Sequence, residues 1–161
     1  VLLFGIGYSI NYGIAKEPFD NFVAEKILFQ QIDVDPENSE LYALVGDYYY
    51  NRKNYGKAID SYENVLMADP ENVHALNNLS WLFSTCPKEE YRNGKKALEY
   101  AQRALVQKRE AFILDTYAEA LFINNDINTA VNVSKEAFNL SKDRKKYYKA
   151  QLLRFEELLN P

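Results

Sequence analysis

The side chains that could do chemistry in this 161-residue chain are few: one histidine, His74, one cysteine, Cys86, and the adjacent carboxylate pairs Glu89-Glu90 and Glu156-Glu157. A metal site wants three or four His, Cys or carboxylate ligands at set spacing, and a Ser-His-Asp triad wants an orienting acid for its histidine. A lone histidine and a lone cysteine supply neither. Adjacent carboxylates on a helix point to different faces, so neither pair makes a general acid–base couple. No glycine-rich phosphate loop and no paired-cysteine motif is present. These exclusions predict a non-catalytic protein without metal or cofactor. His74, beside an expected helix start, reads as a solvated or capping residue, and Cys86, next to Pro87, as an inert thiol.

Nucleic-acid binding is the next class to weigh, because Lys142, Arg144, Lys145, Lys146 and Lys149 flank Tyr147 and Tyr148. One short basic cluster followed by Glu156 and Glu157 on the same expected helix reads instead as a solvated outer face, not as a nucleic-acid or lipid surface. Net charge is −4 and unevenly spread: residues 1–80 carry five Lys/Arg against twelve Asp/Glu, residues 81–161 fourteen against eleven. That polarity biases docking and says nothing of fold. A 47% hydrophobic content with only six glycines and five prolines marks an ordered, core-forming chain, one domain by its size. A single cysteine precludes an internal disulfide and leaves the compartment open.

The elements that position these groups follow from a repeat. The stretch Asp35-Pro36-Glu37-Asn38 returns 34 residues later as Asp69-Pro70-Glu71-Asn72, and the same period carries Ala24 to Ala58 and Tyr8 to Tyr42. Within residues 39–72, Tyr42, Val45, Gly46 and Tyr49 form one helical stripe and Ala58, Tyr62 and Val65 a second. Between them NRKNYG supplies Asn and Gly, which end a helix and permit a reversal. Pro70 forbids continuation of the second helix and Asn72 can cap the next, so DPEN is the joint between units.

The pattern Tyr42-x2-Val45-Gly46-x2-Tyr49, Ala58-x3-Tyr62, Pro70 resembles the tetratricopeptide repeat (TPR). Small Gly46 and Ala58 mark where two helices cross closely. A second unit, 73–110, keeps the frame with Leu76, Leu79, Ser80 and Phe83; its Ala97 comes five residues late because STCPKEEYRNGK holds an insertion. A third, 111–142, has Leu114, Tyr117, Ala118, Leu121, Ala130 and Ala137, with Ser134 where the family prefers an aromatic. Residues 143–161 read as a capping helix with the stripe Tyr148, Leu152, Phe155, Leu159. Residues 1–38 read as a degenerate helix pair, with Ala24 and Leu28 in its second helix and Tyr12 where a small residue is wanted. The opening VLLFGIGYSINYGIA, uncharged and without an initiator methionine, reads as part of a longer protein. Its fifteen residues fall short of the ~20 that span a membrane, and they form either a buried helix of the domain or the end of a membrane helix in the parent. No basic start or cleavage site marks a signal peptide.

What the resemblance implies is an all-α, right-handed superhelix of about eight to nine helices: a protein–protein interaction scaffold whose first helices line a concave groove. Carried onto this sequence, the family's groove positions fall on Glu40, Ala43, Leu44, Asp47, Tyr50 and Asn51; on His74, Asn77, Asn78, Trp81, Ser84 and Thr85; and on Phe112, Asp115, Thr116, Glu119, Phe122 and Ile123. Chaperone-tail binders of the family clamp a carboxylate with Lys and Asn, of which only Asn78 is kept here; Ala43, Asp47, Phe112 and Thr116 fill the other slots. The set holds four carboxylates and no Lys or Arg, so the expected partner is a protein segment with basic and apolar side chains, anchored on Trp81, Tyr50 and Phe122. Trp81 suits packing as well as binding, and Asn77 and Asn78 suit bonds between repeats as well as bonds to a ligand backbone. The NNLSWLFSTCP unit is similar to bacterial repeats appended to a membrane or enzyme domain, which implies the alternative of a structural or assembly module, tethered to a bacterial membrane through the N-terminal segment.

Overall fold

The computed structural model describes residues 26, 30–35 and 38–159. The expectations for residues 1–15 and for Tyr12, Ala24, Leu28 and Pro36 lie outside the described residues. Among the described residues the chain is helical without strands: α1 (Ser39–Asn51), α2 (Tyr55–Ala68), α3 (Val73–Thr85), α4 (Gly94–Gln107), α5 (Ala111–Ile123), α6 (Ile127–Leu140) and α7 (Lys145–Leu159), with a 3-10 turn at Glu89–Tyr91. Residues 30–34 are helical too. The chain divides into two compact units, 1–78 and 79–161, so that α3 is shared between them.

Short polar side chains set the helix starts. Asn38 accepts from the backbone of Glu40 and Leu41, Asn54 from Lys57, Asn72 from Ala75, Asn93 from Lys96 and Asp126 from Thr129. Each satisfies an N–H that the first turn leaves open, a contribution of about 1 kcal/mol. The joint works as its sequence suggests: Asn72 caps α3 and also donates to Asp69 at 3.2 Å, as Asn38 does to Asp35 at 3.1 Å. The helix reversals differ from expectation. Lys53, neither Asn nor Gly, takes the left-handed conformation (φ 59°) after α1, as Asn125 does (φ 63°) after α5. In both turns the next residue's N–H returns to the preceding helix, Asn54 to Tyr49 and Asp126 to Leu121.

In the first unit α1 and α2 cross at Gly46. A methyl group there would stand 2.4 Å from Cε1 of Tyr62, whose ring is fully buried, so the position admits no side chain. Ala58 and Val65 complete the buried stripe of α2, while Leu41 and Val45 pack with Ile32. In the second unit the core gathers Leu114, Ala118 and Leu121 of α5, Ala130, Val133 and Ala137 of α6, and Tyr148 and Phe155 of α7. The positions matching Gly46 and Tyr62 here hold Ala118 and Ser134, both buried, so the crossing residue is larger and the facing one smaller. The inserted segment folds back onto the end of α3: Arg92 donates to the Cys86 carbonyl at 2.6 Å and the Asn93 N–H to the Phe83 carbonyl at 2.9 Å.

Two substitutions test these readings in opposite directions. Gly46→Ala drives a methyl into the Tyr62 ring and should lower unfolding stability in urea by about 1–3 kcal/mol, despite alanine's better helix propensity. Lys53→Gly removes the strain of a left-handed lysine and should raise stability by about 0.5–1 kcal/mol; no gain would mean that the turn carries no strain.

Candidate functional site

Asp47 lies fully buried on α1, and three donors converge on one of its oxygens. Oδ1 receives the Tyr62 hydroxyl at 2.6 Å and Asn78 Nδ2 at 3.0 Å, and stands 2.8 Å from His74 Nε2. Its other oxygen, Oδ2, is buried with no hydrogen-bond partner, and so is Oδ1 of Asn77. Asn77 donates in turn to Asn78 at 3.3 Å, which links the polar groups of α1, α2 and α3 into one chain. Burial pushes the Asp47 carboxyl above its ordinary range, against the pull of His74, Tyr62 and Asn78. At His74 burial opposes the charge, but the hydrogen bond and charge of Asp47, with Glu40 behind it, outweigh that and hold the imidazole above its usual value. His74 is therefore neither simply solvated nor a cap, since Asn72 does the capping. Asn78 makes a bond between repeats, to Asp47 of the preceding one.

In the second unit, Asp115 and Glu119 lie one turn apart on α5 and both are buried. Tyr147 of α7 donates its hydroxyl to Asp115 Oδ2 at 2.8 Å, and Arg154 of α7 bonds and pairs with Glu119. Asp115 Oδ1 has no partner. Burial raises Asp115 to about 7, with the Tyr147 bond pulling down, the Glu119 charge pushing up and Arg154 pulling down. Glu119 is raised by burial against the charge and hydrogen bond of Arg154. The Arg154 guanidinium also lies over the rings of Phe155 and Phe122, at 4.3 and 5.7 Å.

The acids at Asp47, Asp115 and Glu119 thus have donors within the chain, though Asp47 and Asp115 each keep one bare oxygen, and Glu40 is exposed. Of their partners, His74 and Asn78 belong to the groove set, while Tyr62, Tyr147 and Arg154 lie outside it. The sequence carried one signal for the last two, since each lies 32 or 35 residues after its acid, close to one repeat length. Of the remaining groove residues, Glu40 and Asn51 are exposed, while Tyr50, Trp81 and Phe122 are half-buried. Tyr50 meets Tyr55 edge-on at 5.7 Å and Phe122 meets Phe155 at 5.5 Å. In the basic run the aromatics turn inward, Tyr148 into the core and Tyr147 onto Asp115, while Lys142, Lys146 and Lys149 are exposed. Cys86 is buried, and burial pushes its thiol up, away from nucleophilic reactivity. No group of three potential metal ligands occurs among the described residues, and no helix among them is long and apolar enough to cross a membrane.

Comparison with known proteins places this arrangement. Residues 39–72, the unit that holds Asp47 and Tyr62, match the family model described as tetratricopeptide repeat. A 71-residue stretch, 44% of the chain, is 35% identical to the tetratricopeptide repeat protein 21 homolog of Caenorhabditis elegans, of whose length it spans 5%. The solved structure described as "MamA RS-1 ArsTM double mutant" superposes with a TM-score of 0.63 over 87% of each chain, at 14% identity.

A carboxyl whose folded pKa lies above its unfolded value binds its proton more tightly in the native state, so its stabilising effect is complete at low pH and fades as pH rises. For Asp115 the window runs from the ordinary 3.8 to about 7. Across it the native state should lose roughly 3–5 kcal/mol from this group, at ~1.4 kcal/mol per unit. Asp115→Asn should flatten that part of the pH–stability curve and be more stable than the parent at about pH 8 but not at about pH 4. Parallel curves for the two proteins would refute the assignment.

Proposed function

The chain is a tetratricopeptide-repeat protein, with that repeat at residues 39–72 in a TPR-like helical solenoid, a protein-interaction fold; from that premise we propose that it binds a peptide or helix of a partner protein along the first helices of its repeats. On this reading it has no catalytic role. The partner segment carries basic and apolar side chains. The observation that carries the reading is the pair of buried, unpartnered carboxylate oxygens, Asp47 Oδ2 and Asp115 Oδ1, one in each unit. A buried acceptor without a donor costs about 1–3 kcal/mol, which a partner's donor would recover on binding. Half-buried Tyr50, Trp81 and Phe122 supply aromatic anchors of the kind that dominate interface energies, and exposed Glu40 adds attraction for cations. A carboxylate-ended chaperone tail does not suit this set.

A second reading is favoured by a different observation. Each acid already has a donor within the chain, from Tyr62, His74 and Asn78 or from Tyr147 and Arg154, which suits a module that holds itself together inside a longer polypeptide and has no free ligand.

An array of peptides varied in charge and hydrophobicity separates the two. Basic-aromatic and basic-aliphatic peptides should be retained, weakened about tenfold or more by Trp81→Ala, and weakened with raised salt and by Glu40→Lys. Retention indifferent to salt and charge removes the electrostatic part. Absence of any retention by the folded chain favours the assembly module.

A further inference from the structure

The polar chain in the first unit is unbalanced in a specific way. Three donors crowd Asp47 Oδ1, while Asp47 Oδ2 and Asn77 Oδ1, on two members of the same hydrogen-bonded chain linked through Asn78, have none. Both bare atoms are acceptors and both residues are at least nine-tenths buried, Asp47 at 0% and Asn77 at 3% exposure. What completes such a pair is a group that only donates, and the charge of Asp47 favours a cation over a neutral amide. An anion would face two lone-pair-bearing oxygens and be repelled, and a hydroxyl has a donor for only one of them. His74 is the member of the cluster with solvent access, its side chain 31% exposed.

The titratable groups around His74 are Asp47 and Glu40 on α1 and Tyr62 on α2, the Tyr62 ring centroid 6.3 Å away. Tyr62 stays neutral, because burial and then the Asp47 charge push its hydroxyl well above its ordinary value. The group in the cluster that can take up and give off a positive charge is therefore the His74 imidazole. A second cation on Asp47 would sit a few ångströms from it, and like charges at that range lower each other's proton affinity.

Deepening the reading above, on which it rests, we propose that this corner of the first unit receives one donor-only cationic side chain of the partner, a guanidinium or ammonium, on Asp47 Oδ2 and Asn77 Oδ1, in exchange for the proton held by His74. Binding is then proton-coupled: it strengthens as pH rises through the His74 titration and releases a proton to solvent.

His74 is the only histidine in the chain, so its ring C2–H gives a single proton NMR signal whose titration reads the site directly. The probes are butylguanidinium chloride and neutral butylurea, each added to the full 161-residue chain at matched ionic strength. Butylguanidinium should lower the apparent His74 pKa by roughly one unit, while butylurea and added sodium chloride should leave it in place. Asp47→Asn should abolish the shift. Should that variant not fold, Asn77→Ala serves, with the shift at least halved. A shift that sodium chloride reproduces, or none with butylguanidinium, overturns the site. Peptide retention with His74 unmoved overturns this site and leaves the interaction reading standing; a moved His74 without any peptide retention does the reverse.

Discussion

The close crossing of α1 and α2 at Gly46 is the constraint from which the first unit follows. With no side chain at that position, the Tyr62 ring occupies the space a methyl group would take at Gly46, and its hydroxyl is carried into a fully buried place. A buried hydroxyl needs a partner, and the next residue of α1, Asp47, provides it at 2.6 Å. That carboxylate is itself expensive to bury, so Asn78 and His74 of α3 are drawn onto the same oxygen. A packing requirement thereby becomes a polar network that ties three helices together. In the second unit Ala118 and Ser134 replace the glycine and the aromatic, and the hydroxyl carried in at that crossing is the short one of Ser134, which bonds none of α5's acids and is buried without a partner. Glu119, the acid one position on from Ala118, is met instead by Arg154 of α7.

The joints work on a shorter scale. Asp and Asn at the ends of DPEN bond each other and leave the Asn oxygen for the next helix, so two side chains satisfy a helix start and fix the entry of the chain. Such bonds span three residues and do not depend on what the rest of the molecule does. The bonds that hold the groove acids span 15 to 35 residues and exist only once helices are packed. The difference in range explains why joints tolerate repetition while the polar interior differs between units. It also explains how matching repeat positions can carry unlike chemistry: a saturated and a bare oxygen on Asp47, a carboxyl raised to about 7 at Asp115, and a paired carboxylate at Glu119.

What the sequence by itself determined is the periodic part: the 34-residue frame, the helix pairs from 39 onward, the small residues at crossings and the asparagine caps. These are local, since a cap or a stripe needs only residues within a turn or two. The polar state of Asp47, Asp115 and Glu119 was not legible in the sequence. Only a spacing close to one repeat length links Asp115 and Glu119 to Tyr147 and Arg154, and NRKNYG does not reveal that a lysine takes the left-handed place. Tertiary structure alone decided which carboxylate oxygen is satisfied and which is bare, and with it the proton affinities of Asp47, His74 and Asp115. The physical reason is that burial and hydrogen bonding act through distances of a few ångströms, which the fold sets between residues far apart along the chain.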